Sequence, residues 1–143
     1  MIEICTGRLA LDQLDDELLA VADDLRAFGH DTVFVSCGFG CHHELLTQWQ
    51  DVPVAVPRLI EHITELESMG VYELGEADLF VGAGRVEFRI CHESDVHCSG
   101  DVACRLVSHV RRRWTQCYEH SSERQHKGPW RRLARRRGPP ESI

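Results

Sequence analysis

Residues 78–90 of this 143-residue chain read DLFVGAGRVEFRI. Two apolar runs, 78–81 and 86–90, flank the glycine-containing residues 82–85. Short β-branched and aromatic runs separated in this way are typical of a β-hairpin. A dinucleotide-binding fingerprint would need a third glycine and a following helix, and neither is found here. The glycines therefore indicate a tight turn, and the two strands that it joins predict an antiparallel pair in the sheet.

Helices are predicted on both sides of this hairpin. Apolar residues recur at three- and four-residue spacing over 11–28 and over 59–66, where Pro57 suits the first turn. A third apolar stripe covers 102–117, with Ser99 or Asp101 as candidate N-caps. A shorter helix is expected over 41–50. On the first helix the acidic residues are expected to form a solvated face: Asp12, Asp16, Asp23 and Asp24.

Further strands are predicted at 2–5, at 32–37 and, between two prolines, at 54–56. Together with the helices they predict an α+β fold in a single domain. About three main helices would pack on a small mixed or mostly antiparallel sheet, with the β-hairpin near 78–91.

Charge divides the chain into two parts. Residues 120–143 hold seven basic and two acidic side chains, a net charge of +5. Since the whole chain has a net charge of −7, residues 1–119 carry −12. We therefore expect an acidic α+β domain over 1–119 and a basic, flexible tail over 120–143, joined by a polar linker at 121–129.

The tail has one group of candidate contact residues: Trp130, Arg131, Arg132, Arg135, Arg136 and Arg137. These side chains could bind nucleic acid, insert at an anionic lipid surface or fold back on the acidic domain. A charge run with two large apolar residues is usually solvated, so we favour a solvated tail and expect no sequence-specific nucleic-acid binding.

Half of the cysteines and histidines fall in two short segments, 37–43 and 91–98. They are candidate zinc ligands: Cys37, Cys41, His42, His43, Cys91, His92, His97 and Cys98. Zinc prefers close Cys and His pairs in tetrahedral groups. However, strand alternation points Cys91 outward with Glu87 and Arg89 and returns His92 inward, so no four ligands converge uniquely. If these residues do not form a metal site, no cofactor is expected. If they do form one, the expected metal is zinc.

Cysteine catalysis is a further alternative. It would combine Cys91 or Cys98 with His42, His43 or His97 as base and Glu93 or Asp95 as the group that orients the base. No nucleophile elbow, P-loop or zincin helix accompanies these residues, so an enzyme is not favoured. The structural alternative is that Cys5, Cys37, Cys104 and Cys117 are small hydrophobes and that His92 or His97 is a hydrogen-bonded polar group at a strand end.

Composition suggests where and how the domain acts. The N-terminus lacks a signal segment, and no stretch approaches the roughly 20 apolar residues of a membrane span, so we expect a cytoplasmic protein with reduced thiols. An acidic domain is steered toward basic partners. The favoured function is a small protein-binding module, an inhibitor or immunity- or antitoxin-type neutraliser of a basic protein. The alternative is a zinc-binding module or metal-dependent enzyme that uses the two Cys/His segments.

Overall fold

The computed structural model describes residues 1–42 and 50–125. In this part of the chain, three α-helices pack on one face of a seven-stranded antiparallel sheet, which confirms the α+β class. The helices are α1 (Leu11–Ala27), α2 (Leu59–Ser68), which follows a 3₁₀ turn at Val56–Arg58, and α3 (Arg105–Cys117). The strands are β1 (Ile2–Cys5), β2 (Thr32–Cys37), β3 (Val52–Ala55), β4 (Leu79–Ala83), β5 (Val86–Ile90), β6 (Val96–Gly100) and β7 (Ser122–Gln125). None of these helices has the length and apolar character needed to span a bilayer.

The predicted hairpin is confirmed as β4 and β5. Ala83 pairs with Val86, so the loop consists of Gly84 and Arg85 alone. Gly84 has a φ of 59° and Arg85 does not have a positive φ. A positive φ at the first central residue is the signature of a type II′ turn, whose twist matches that of the strands it joins. The turn thus fixes the register at the centre of the sheet.

Strand order explains how distant residues meet. The sheet runs β3-β2-β4-β5-β6-β1-β7, and every pair is antiparallel. The N-terminal strand β1 is inserted between β6 and β7, with Cys5 opposite His97 on one side and opposite Ser122 on the other.

The two faces of the sheet differ in chemistry. Alternate residues of each central strand pack under the helices and form the apolar core: Ile2, Ile4, Val33, Val35, Leu79, Val81, Val86, Phe88, Ile90, Val96 and Cys98. On β1, β5 and β6 the residues between them lie on the opposite face, which we call the polar face: Glu3, Cys5, Glu87, Arg89, His97 and Ser99. Phe34 of β2 and Phe80 of β4 lie on the same side of the sheet. Because side chains alternate along a strand, the apolar pattern of the core determines which residues reach the polar face.

A buried ion cluster joins α1 to α3. Arg113 donates hydrogen bonds to Glu17 Oε1 at 2.6 Å, to Glu17 Oε2 at 3.0 Å and to Asp24 Oδ2 at 2.8 Å. Tyr118 donates its hydroxyl to Glu17 Oε1 at 2.7 Å. The predicted solvated face is therefore wrong for Asp24, which is buried against α3, while Asp12, Asp16 and Asp23 are exposed.

Several predicted elements need correction. The sheet is larger than expected, because strands β6 and β7 were not predicted. It is wholly antiparallel, whereas a mixed or mostly antiparallel sheet was expected. Helix α3 begins at Arg105, after β6, and Val102 is exposed. Residues 122–125 belong to the sheet and not to a linker; all four are polar and exposed, so they carry no alternation that marks a strand. Most of the helix expected over 41–50 lies outside the described residues.

Candidate functional site

The polar face holds a pocket of about 310 Å³ between strands β1, β5, β6 and β7. Most of the side chains around it are ionisable. They are Glu3, Cys5, Arg89, Cys91, Glu93, Asp95, His97, Ser122 and Arg124. Strand alternation predicted correctly that Cys91 lies on the face of Glu87 and Arg89, away from the core.

Three side chains in this pocket form a tight triangle. Cys5 Sγ lies 3.3 Å from Asp95 Oδ2 and 3.6 Å from His97 Nε2. The third edge, from Asp95 Oδ2 to His97 Nε2, is 3.0 Å. One sulfur, one carboxylate oxygen and one imidazole nitrogen thus converge on a common point, and such a group could hold a metal ion.

Backbone structure sets this triangle. Cys5 and His97 are direct partners across β1 and β6, and Asp95 lies two residues before His97, on the same face. The loop before β6 is closed by a hydrogen bond from Cys91 N to the Asp95 carbonyl at 2.8 Å. In that loop Ser94 has a φ of 65°, a left-handed conformation that returns the chain sharply into β6.

Glu3 stands behind the histidine. Its Oε2 lies 3.4 Å from His97 Nδ1, and its Oε1 forms an ion pair with Arg124 of β7. The Glu3 side chain is only 3% exposed. Both ring nitrogens of His97 therefore face carboxylates, Asp95 at Nε2 and Glu3 at Nδ1.

The charges around His97 shift the pKa values of these side chains. Burial opposes ionisation of both Asp95 and Glu3, yet their contacts with His97 lower the pKa of each carboxyl below its ordinary value. Burial alone would lower the pKa of His97, but hydrogen bonds to Asp95 and its neighbours raise it above the usual range. These contacts favour the protonated form of His97, whose Nε2 lies 3.0 Å from Asp95 and whose Nδ1 lies 3.4 Å from Glu3.

A second group lies at the end of β5. Asp78 Oδ1 accepts a hydrogen bond from the backbone N of His92 at 2.8 Å and also lies 2.8 Å from His92 Nδ1. Cys91 Sγ lies 3.8 Å from the same ring nitrogen. The Phe39 ring packs against His92 with the ring centroids 4.6 Å apart. Asp78, Cys91 and His92 also could hold a metal ion. His92 is half-exposed at the strand end, so the expectation that it turns into the core is wrong.

The two predicted Cys/His segments do not form one ligand group among residues 1–42 and 50–125. Cys98 is fully buried in the apolar core and faces away from its neighbour His97. Cys37 is buried at the end of β2 beside the half-buried Cys41, and His42 is exposed. His43 and the six tail candidates, Trp130 to Arg137, lie outside the described residues.

Cys5 and Glu3 were missed as site residues. Cys5 was interpreted as a small hydrophobe, although the alternation of 2–5 places it on the face opposite Ile2 and Ile4 together with Glu3. That alternation was the available signal. The pairing of β1 with β6 has no signal in the sequence.

No protein-family model, curated protein or solved structure matches this chain. The site therefore has to be interpreted from its own chemistry.

Proposed function

We propose that this protein is a zinc-binding domain whose ligands are Cys5 Sγ, Asp95 Oδ2 and His97 Nε2. The observation that supports it is the shape of the ligand triangle. With bonds of about 2.3 Å to sulfur and about 2.0 Å to nitrogen and oxygen, tetrahedral zinc places sulfur about 3.5 Å from its neighbours and nitrogen about 3.3 Å from oxygen. The three edges here are 3.3, 3.6 and 3.0 Å, so small side-chain adjustments would bring all three atoms to bonding distance.

The donor types favour zinc over other ions. A thiolate, an imidazole and a carboxylate form a borderline-soft set, whereas calcium and magnesium take oxygen ligands almost alone. The position of Glu3, 3.4 Å from the second ring nitrogen of His97, supports the same interpretation. Metal-binding histidines commonly place their second ring nitrogen against a carboxylate, which fixes the ring and strengthens the metal bond.

Three protein ligands leave a fourth coordination position, which opens into the pocket. In zinc proteins a closed set of four protein ligands is typical of a structural site, and three with an open position is typical of a catalytic site. Cys91 lines the same pocket as Asp95 and His97. The proposed site thus has room either for water or substrate, or for a fourth thiolate from Cys91.

One observation favours a second candidate function, cysteine catalysis. Cys5, His97 and Glu3 have the order of nucleophile, base and orienting carboxylate, with Cys5 Sγ 3.6 Å from His97 Nε2. Asp95 opposes it, because the Cys5 thiol donates to that carboxylate and a thiolate there would face its negative charge. A metal ion would neutralise both anions, so zinc binding is the better proposal.

Recognition of a basic protein partner in the cytoplasm, inferred from the acidic composition, stays a prediction. Affinity purification of the tagged chain from its native host, with identification of what is retained, tests it.

Metal analysis tests the zinc proposal. The full chain, purified without chelator, should contain one zinc per molecule, and chelated protein titrated with cobalt should show thiolate-to-metal charge-transfer absorption. Cys5→Ser and His97→Gln should lose both signals while keeping the circular dichroism of the wild type. Cys117→Ser, which changes an exposed cysteine, is the matched control and should bind as the wild type does.

Two outcomes would refute this proposal. In the first, Cys5→Ser binds zinc with unchanged affinity. In the second, His92→Gln abolishes binding and Cys5→Ser does not, which would place the ion in the group of Asp78, Cys91 and His92.

A further inference from the structure

The polar face is buried at its centre, although none of the helices in the described part of the chain covers it. All three helices pack on the opposite, apolar face. Residues on an uncovered sheet face normally keep contact with water. Here, however, Glu3 is 3% exposed, Ser99 is 0% exposed and Glu87 is 1% exposed. Ser99 is the direct cross-strand partner of both glutamates, so the three residues form one buried row across β1, β6 and β5.

One end of this row already binds a basic side chain from the C-terminal part of the chain. Arg124 of β7 is the cross-strand partner of Glu3 and forms an ion pair with Glu3 Oε1. It is the first of the seven basic residues in 120–143. Strand β7 therefore brings the rest of the tail to the edge of the polar face, one strand from Glu3.

Glu87 is the second carboxylate of the row, and it lies within reach of the tail. A glutamate is almost never fully buried unless it is paired, and arginine is the cation best suited to such a pair. Glu87 lies three strands from β7, which corresponds to about 14 Å. An extended chain covers about 3.3 Å per residue, so about five residues span this distance. Arg131 and Arg132 are six and seven residues after Gln125.

We propose that the part of the tail that follows β7, residues 126–143, docks on the polar face of its own chain, with Arg131 and Arg132 bound to the Glu87 carboxylate. The charges are complementary, since residues 120–143 carry +5 and residues 1–119 carry −12. Residues 43–49, the other part of the chain outside the described residues, contain no lysine or arginine. They lie between β2 and β3 in the sequence, and those strands form the opposite edge of the sheet. A docked tail replaces the solvated tail that composition alone favours.

Limited trypsin digestion of the full chain tests this proposal. Trypsin cleaves after lysine and arginine, so a docked tail is protected and a solvated tail is cut at the rate of a free peptide. A synthetic peptide of residues 126–143 provides that reference rate, and mass spectrometry follows both reactions. We expect the wild-type chain to lose the residues after Lys127 at least about 10-fold more slowly than the peptide is cut, which is the factor for one hydrogen bond to a charged group.

A pair of glutamate variants identifies the docking surface. Glu87→Gln should raise the rate of tail cleavage by about 10-fold, because it removes the carboxylate charge and keeps the size of the side chain. Glu93→Gln removes the same charge from a side chain that is 73% exposed, so it is the matched control and should leave the rate unchanged.

Trp130 provides a second readout, which also serves for variants that remove trypsin sites. The difference in acrylamide quenching between a protein and its Trp130→Phe counterpart measures the exposure of Trp130. Arg131→Gln/Arg132→Gln should expose Trp130 as much as Glu87→Gln does, and the two changes together should have no larger effect. If Glu87→Gln does not fold, as judged by circular dichroism, the arginine variant alone decides between a docked and a solvated tail.

Any of four outcomes would overturn the proposal. Cleavage of the wild-type tail at the rate of the free peptide would mean that the tail is solvated. An unchanged rate in Glu87→Gln would exclude this carboxylate as the docking site, and an equal effect of Glu93→Gln would indicate unspecific attraction to an acidic surface. A rate that falls as protein concentration rises would mean that the tail binds a second copy of the chain. None of these readouts requires a metal ion, so they do not depend on the proposed zinc site.

Discussion

Replacement of Arg113 by methionine should destabilise the protein by about 3 kcal/mol, the lower end of the range for breaking a buried ion pair. Arg113 makes three charge-assisted hydrogen bonds to two carboxylates of α1. The Glu17 and Asp24 side chains are 1% and 12% exposed, so water cannot replace the lost guanidinium. Tyr118 still donates to Glu17, and His109 Nε2 lies 3.0 Å from Asp24, which limits the loss.

Urea unfolding followed by far-UV circular dichroism measures this effect. For a domain of this size, a denaturant slope of about 1.5 kcal/mol/M converts 3 kcal/mol into a midpoint lowered by about 2 M. Arg111→Met is the matched control on the same helix. Arg111 forms an ion pair with Glu123 at 3.3 Å, but both side chains are 44% exposed, and such surface pairs contribute about 0–1 kcal/mol.

A midpoint for Arg113→Met within about 0.5 M of that for Arg111→Met would refute this reasoning, because burial would then make no difference to the pair. The double variant Glu17→Gln/Arg113→Met adds an internal check. It removes the charge of one of the two carboxylates that lose their cation in Arg113→Met. The loss in free energy of unfolding should therefore be smaller than the sum of the losses in the two single variants.

Three further predictions concern the site and the sheet. Glu3→Gln should weaken zinc binding by about 10- to 100-fold in a competition titration, whereas Glu93→Gln, on an exposed side chain of the same pocket, should leave the affinity unchanged. A chain that ends at Gln125 keeps the seven described strands, and it should unfold at higher urea than a chain that ends at Glu119, which lacks β7. Gly84→Val should cost about 1–2 kcal/mol, because valine does not tolerate the positive φ of the hairpin turn, and Gly84→Asn should cost less. Equal effects of Gly84→Val and Gly84→Asn would contradict the turn assignment.

Apolar periodicity made much of the fold predictable. The hairpin, β1, β2 and three helices each bury a face with a clear repeat, and these predictions are confirmed. Strand β6 was missed because its inward residues Val96, Cys98 and Gly100 are small, while His97 and Ser99 suggested a ligand cluster and a helix cap. Strand β7 was missed because an exposed edge strand needs no apolar residue to hold its hydrogen bonds.

The candidate site was less predictable, for two physical reasons. Adjacent residues of a strand point to opposite faces, so the sequence cluster His97-Cys98 separates into a pocket residue and a core residue. Conversely, the partner of His97 is Cys5, which is 92 positions away. Such a pair depends on the placement of β1 between β6 and β7, and local patterns do not specify strand order.

The two buried charge clusters have different functional implications. In the Arg113 cluster, the guanidinium is paired with both carboxylates and joins two helices, so a structural role accounts for it. The cluster of Glu3, Asp95 and His97 instead opens into a pocket, although its side chains are only 3%, 15% and 12% exposed. Buried ion pairs are often no more stabilising than apolar residues of similar size. Since the rest of the sheet is stabilised by its apolar face, stability alone does not explain a buried histidine placed between two carboxylates and beside a thiol. The metal ion that we propose, which would replace a ring proton of His97 and bind Cys5 Sγ, Asp95 Oδ2 and His97 Nε2, would account for this arrangement.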